Sequence, residues 1–185
     1  MGKLEGKKVA ILVTDGFEQV ELTGPKQALE EAGATTHIVS PKDDTVKGWD
    51  KTDWGKEFNV DVALNDASVE NYDALVLPGG QINPDKLRVE EKAIDFIKSF
   101  SNQNKLIAAI CHGPWTLIEA GLVSGRTLTS YNSIQTDLKN AGANWVDREV
   151  VVEDRIITSR NPDDIPAFNK AIIDELVKES EVAHA

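Results

Sequence analysis

Cys111 is the only cysteine among 185 residues, and it stands next to His112 in the stretch KLIAAICHGPWTLIEA. A thiol with an imidazole at hand is a candidate nucleophile with a candidate base. Leu106 to Ile110 is an apolar run of strand length, and Pro114 to Ala120 reads as a helix with proline in its first turn. The pair therefore falls on the turn from a buried strand into a helix. Helix N–H groups point toward such a turn and favour a thiolate over a thiol. A lone cysteine is otherwise a small buried core residue, but the polar turn with Gly113 favours the chemical reading. Neighbouring side chains leave a turn in different directions, so the sequence alone does not establish a Cys111–His112 contact.

Two other segments carry unexplained polarity. Asp15-Gly16-Phe17-Glu18 follows a first apolar run, and Pro78-Gly79-Gly80, leading to Asp85, follows another. Paired glycines after a buried strand let backbone N–H groups approach a ligand closely, as in an oxyanion nest. They are neither a dinucleotide fingerprint nor a phosphate-binding P-loop, because the spaced glycine triplet and the Gly-Lys-Ser/Thr ending are both absent. A carboxyl beside a thiol raises its pKa when charged, yet stabilises the thiolate when protonated and donating. Glu18 could fill the second role if burial keeps its proton.

Elements that must position these residues follow from periodicity. Strands are expected at Lys8–Thr14, apolar on both faces as in buried parallel sheets, and at Thr35–Ser40, Ala74–Leu77 and Leu106–Ile110. Helices are expected at Glu21–Ala32, regular from about Pro25, at Lys86–Phe100, at Ile134–Asn140 and at Ile165–Val177. Residues 41–66, with Trp49 and Trp54, suggest a hairpin excursion from the sheet that its own helices or a second subunit would cover. Arg126–Ser130 is expected as a short strand, and Trp145–Val152 and Arg155–Ser159 as two strands joined at Glu153-Asp154. Residues 178–185 read as a frayed tail. His37 reads as structural, and His184 lies in the tail. Strand-helix alternation gives an α/β sandwich whose crevice lies beyond the carboxyl ends of its strands, where all three polar segments fall.

Composition narrows the function. The 41% apolar content suits one domain spanning residues 1–185, with a core at about 7–177. A single cysteine excludes an intramolecular disulfide and any metal site built on several cysteines, and it fits a reducing compartment. The net charge of −11, with no basic stripe, argues against a standing nucleic-acid partner. No apolar signal segment or span of membrane length is evident, so a cytoplasmic protein is expected, with no cofactor and no metal.

The order DGFEQVEL, LVLPGG, AAICHGP, TSY and VVVED…ITSRNPDD…F resembles the PfpI branch of the DJ/PfpI superfamily, within the class I glutamine-amidotransferase-like fold, over about residues 7 to 177. The resemblance implies a flavodoxin-like three-layer sandwich with a mostly parallel central sheet and a nucleophile elbow. It implies Cys111 as nucleophile, Glu18 as the protonated partner of its sulfur, and His112 as acid-base partner. Backbone N–H groups of Gly80 and His112 would form the oxyanion site. Asp85 matches an acid that reaches across a subunit interface to the histidine, which implies a homodimer or a hexamer built from dimers. Gly79, Gly80, Trp115 and Tyr131 are the expected substrate-contacting positions. Trp115 stands where a smaller or polar residue is common, and the tryptophan hairpin departs from the usual version.

Three activities are compatible with this reading. Cys111 could add to a reactive carbonyl such as methylglyoxal or its early adducts, in the manner of a glyoxalase or deglycase, and release lactate in stress protection. It could form a thioester as an intracellular cysteine peptidase. In the third reading the chain is a redox or stress sensor acting through oxidation of Cys111. A glutaminase fits less well, since no His-x-Glu pair follows the cysteine.

Overall fold

The computed structural model describes residues 2–185. The strands of its main sheet are β1 (Lys8–Leu12), β2 (Thr35–Ser40), β5 (Val62–Ala63), β6 (Ala74–Leu77), β7 (Leu106–Ile110), β10 (Val151–Glu153) and β11 (Ile156–Ser159). They run in the order β10-β11-β7-β6-β1-β2-β5. Every pairing is parallel except that of β10 with β11. Strand alternation explains why the sheet is apolar on both faces. Val9, Ile11 and Val76 join one core with α1 (Gln19–Glu31) and α6 (Ile165–Ala183) through Leu22, Leu29, Phe168 and Ile172. Ala10, Leu12, Leu75 and Leu77 join the other core with α3 (Glu91–Asn102), α4 (Pro114–Glu119) and α5 (Gln135–Asn140). The result is the expected three-layer α/β sandwich.

From β1 the chain builds outward through β2, and from β6 it builds the other way through β7, so the order reverses between β1 and β6. Ligands in such sheets bind beyond the carboxyl ends of the strands at this switch point. There the DGFE loop after β1 meets the PGG loop after β6, with Cys111 next to them at the end of β7.

A hairpin of β3 (Thr45–Asp50) and β4 (Asp53–Asn59) stands apart from the sheet, as expected. It folds over the DGFE loop: the Trp49 N–H donates to Phe17 O at 2.7 Å and the Gly16 N–H to Lys47 O at 2.8 Å. Trp49 and Trp54 meet edge to face at its end, with ring centroids 5.4 Å apart.

Several boundaries differ from expectation for identifiable reasons. Helix α1 begins at Gln19 and contains Pro25 in its interior. Proline there removes only the hydrogen bond to the Glu21 carbonyl, and Gly24 lets the helix pack closely on Ile165, whose Cγ2 would lie 2.9 Å from a Cβ at that position. The helix expected at residues 86–100 is two: α2 (Ile82–Leu87), with Pro84 in its first turn, and α3. Extended backbone at Glu90 separates them, and its carbonyl accepts the first N–H groups of α3. The strand expected over 145–152 is interrupted: β9 (Asn144–Trp145) pairs with β8 (Thr127–Leu128) in a separate ladder, and pairing resumes only at Val151. The expected tail at 178–185 is helical to Ala183, because Glu179 is held by Arg155 and by Lys7. His37 is structural: its Nδ1 lies 3.0 Å from the Tyr72 hydroxyl.

Candidate active site

Cys111 takes φ +63°, a left-handed conformation uncommon for a residue with a Cβ. The strand LIAAI, buried at every position, is fixed on one side of it, and the helix opened by Pro114 on the other. The Cys111 N–H is anchored to Ser159 O at 3.1 Å, and its carbonyl accepts the Tyr131 N–H at 2.9 Å. Backbone strain of this kind, held by flanking structure, aims a side chain where a relaxed turn would not. Glycine is required beside it, since a Cβ at Gly113 would meet Leu77 O at 2.6 Å.

The sulfur has three kinds of polar neighbour. His112 Nδ1 lies 3.2 Å from Cys111 Sγ, so the adjacent side chains do meet. Backbone N–H groups of Gly80 and His112 are directed at the sulfur and lower the thiol pKa, as an oxyanion pair would. The third neighbour is a carboxyl, and it belongs to Glu21. Glu21 is fully buried, hydrogen-bonded to the Cys111 side chain, and its Oε1 accepts the Gly79 N–H at 2.9 Å.

This corrects the assignment of Glu18 to the sulfur. Glu18 sits at the rim of the recess, where its Oε1 accepts the Lys51 N–H at 3.2 Å. Because α1 begins at Gln19, Glu21 falls in its first turn on the inner face with Leu22, while Glu18 precedes the helix. A carboxyl among buried helix positions costs several kcal/mol unless it keeps its proton or finds partners. That was the available signal.

Electrostatics follow from burial. Burial first, and then the charge of Glu18 nearby, push the Glu21 carboxyl up to about 8, against the pull of the Gly79 N–H. Glu21 therefore holds its proton at neutral pH and can donate to the sulfur. Burial also lowers the His112 pKa to about 4, which keeps the ring neutral. The Cys111 thiol is pushed upward by burial and next by a Glu21 charge. A protonated Glu21 removes that second effect and replaces it with a hydrogen-bond donor. The remaining nitrogen of His112, Nε2, lies 3.3 Å from Ser133 Oγ. Tyr131 stacks on the ring at 4.8 Å, and Trp115 meets it edge-on at 5.0 Å.

Glu18, Glu21, Cys111, His112 and Tyr131 line a recess of about 430 Å³, bounded also by Trp49 and Lys51 of the hairpin and by Gln81, Ile82 and Pro162. Of the residues expected to contact substrate, Gly80 and Tyr131 line it. Gly79 lies behind, orienting Glu21, and Trp115 packs outside, with Nε1 donating to Asp137 at 2.9 Å and Arg88 over its ring. Asp85 is exposed on α2, and within the chain His112 bonds to Cys111 and Ser133 instead. The role expected for Asp85 is intermolecular. Ser133, Lys51 and the hairpin contacts were not anticipated: they come from distant segments that only the tertiary fold brings together. Among the described residues, no group of three or more His, Cys, Asp or Glu side chains could share a metal ion.

The model of the DJ-1/PfpI family matches residues 7–175. The chain belongs to this family. It is 47% identical over 167 residues to General stress protein 18 of Bacillus subtilis, covering 89% of this chain and 95% of that one. It is 45% identical over 165 residues, with the same coverage, to a second Bacillus subtilis protein, named "Putative cysteine protease YraA". In three dimensions it resembles Drosophila melanogaster DJ-1beta, with TM-score 0.85 at 28% identity over 100% of this chain and 95% of that one. Among the described residues no helix is long and apolar enough to cross a membrane.

Proposed function

We propose that this DJ-1/PfpI family member is a cysteine-dependent enzyme that acts on small reactive carbonyls, methylglyoxal or its early adducts, in cytoplasmic stress protection. The observation that carries the reading is the 3.2 Å approach of Cys111 Sγ to a neutral His112 Nδ1, with the Glu21 carboxyl on the same sulfur. Cys111 adds to the aldehyde carbon, and its thiol proton passes by way of His112 to the aldehyde oxygen, giving a hemithioacetal. Gly80 and His112 N–H groups stabilise the developing oxyanion. His112 takes the proton from that carbon and returns it to the neighbouring carbon, while the hydroxyl proton on the first carbon passes to the former ketone oxygen, which converts the hemithioacetal to a lactoyl thioester. Water attacks the thioester carbonyl, the S–C bond breaks, and lactate leaves with the thiol restored. Methylglyoxal and one water account for every atom of the product.

A recess of about 430 Å³ suits a small molecule. The name carried by one relative supports a second reading, a cysteine peptidase. A panel of aldehydes, glycated amino acids and peptides assayed with wild type and Cys111→Ala separates the two. Turnover of peptides alone, lost in Cys111→Ala, would replace the carbonyl reading.

A further inference from the structure

We propose that Trp49 is the specificity-determining residue of the recess, a rigid apolar wall that favours 2-oxoaldehydes carrying an aryl group over methylglyoxal. The idea rests on the carbonyl reading and deepens it, since it names the substituent that the site takes beside the reacting carbonyls.

Trp49 is aimed by a break in its own strand. The register of β3 on β4 shifts between Lys47 and Trp49, and a bulge of this kind re-aims the side chain beside it. Gly48 is buried at the shift, where a Cβ would stand 3.2 Å from Phe17 Cε2. Trp49 is then held at three points. Its backbone N–H donates to Phe17 O at 2.7 Å, its indole Nε1 donates to Lys51 O at 3.0 Å, and Trp54 meets its ring edge to face. Because the polar atom of the indole is bonded within the hairpin, what Trp49 offers the recess is ring surface. Ile82, Tyr131 and Pro162 add apolar surface to the same recess. Ile82 is seated against the DGFE loop, since a Cβ at Gly16 would lie 2.4 Å from Ile82 Cβ. Trp49 and Ile82 are half-buried and Tyr131 is exposed, so this surface stays in contact with water until a ligand covers it. Methylglyoxal has a single methyl group for that task. A phenyl ring covers more, and it presents a face and an edge to the indole. Cys111 and His112 act on the paired carbonyls, which every 2-oxoaldehyde shares, so discrimination falls to the wall. The steps that give lactate from methylglyoxal turn phenylglyoxal and one water into mandelate, with every atom accounted for.

The test compares phenylglyoxal with methylglyoxal on wild type, Trp49→Phe and Trp49→Ala, with Cys111→Ala as the blank for uncatalysed reaction. Wild type should favour phenylglyoxal in kcat/KM by about tenfold or more, the scale of a hydrophobic pocket contact. Trp49→Phe should retain the preference, because a flat ring remains. Trp49→Ala should lower the phenylglyoxal-to-methylglyoxal ratio about tenfold, mainly through KM, as for loss of uniform binding. A ratio as in wild type, with both rates reduced together, would mean that the hairpin only keeps the site in shape and would overturn the proposal. Calorimetric binding of mandelamide and lactamide, neutral analogues of the two products, needs no turnover. Wild type should bind mandelamide about tenfold more tightly, and Trp49→Ala should lose that advantage; equal binding of the two amides by wild type would also overturn the proposal. If neither aldehyde is turned over, the carbonyl reading fails, while the amide affinities still decide the role of Trp49.

Discussion

Glu21 and Cys111 face one another across a single peptide. The Gly79 N–H donates to Glu21 Oε1 at 2.9 Å, and a Cβ on Gly79 would stand 2.6 Å from Cys111 Cβ and 2.7 Å from Glu21 Oε1. The PGG loop thus serves as the wall that brings a first-turn helix carboxyl against a strand-end thiol. Its second glycine completes the arrangement: Gly80 has φ +77°, and a Cβ there would lie 2.7 Å from Glu18 N and Gly16 O.

Glu21→Gln keeps an acceptor for the Gly79 N–H but replaces the carboxylic O–H that donates to the sulfur with a weaker amide N–H. Turnover of methylglyoxal should fall by about 10², the scale for a weakened hydrogen-bond donor to a developing anion. Glu18→Gln should stay within about threefold of wild type, since a partly exposed rim group contributes little. The reverse ranking of the two variants, in the same assay, would return Glu18 to the sulfur.

Stability should depend on pH through the same carboxyl. Unfolded, Glu21 ionises at the ordinary 4.5; folded, at about 8. Between these values the folded state binds more protons than the unfolded state, so stability falls as pH rises through that window. His112 acts in the opposite sense. Its folded pKa of about 4 lies below the ordinary 6.5, so its contribution is lost as pH falls between them. Thermal unfolding at pH 6.5 and 8 should show Glu21→Gln with a shallower decline than wild type. A decline of equal slope would mean that Glu21 is ionised in the folded protein.

Gly79→Ala inserts a methyl group into the Glu21–Cys111 contact. A clash of this size in a packed site costs about 1–3 kcal/mol, readable by urea unfolding, and carbonyl turnover should be lost with it. Gly121→Ala is a control for left-handed backbone, because Gly121 has φ +71° but open space around its α-carbon. It should lower stability while sparing kcat.

The turn bearing Cys111 was legible because LIAAI admits only a buried strand and Pro114 only a helix start. Convergence of the DGFE, PGG and CHG segments followed from sheet topology. The exchange of Glu18 for Glu21 was missed, because reading it depends on helix phase. Placing the regular helix after Pro25 leaves Glu21 on no particular face, whereas starting it at Gln19 buries Glu21 with Leu22. Ser133 escaped notice for another reason: it lies 21 residues from His112, and the Cys111 O to Tyr131 N–H bond that brings its turn to the ring is a tertiary contact. The unexpected length of α6 has the same origin, since its last turns rest on ion pairs with Lys7 and Arg155.

The central claim is that the Cys111 sulfur does the chemistry on a small carbonyl. Lactate formed from methylglyoxal, followed by an enantioselective lactate assay with no thiol in the buffer, tests it most directly. Wild type should accumulate lactate at a rate proportional to enzyme, and Cys111→Ala, with an unchanged circular dichroism spectrum, should form none above the buffer blank. Equal lactate production by the two proteins would contradict the account.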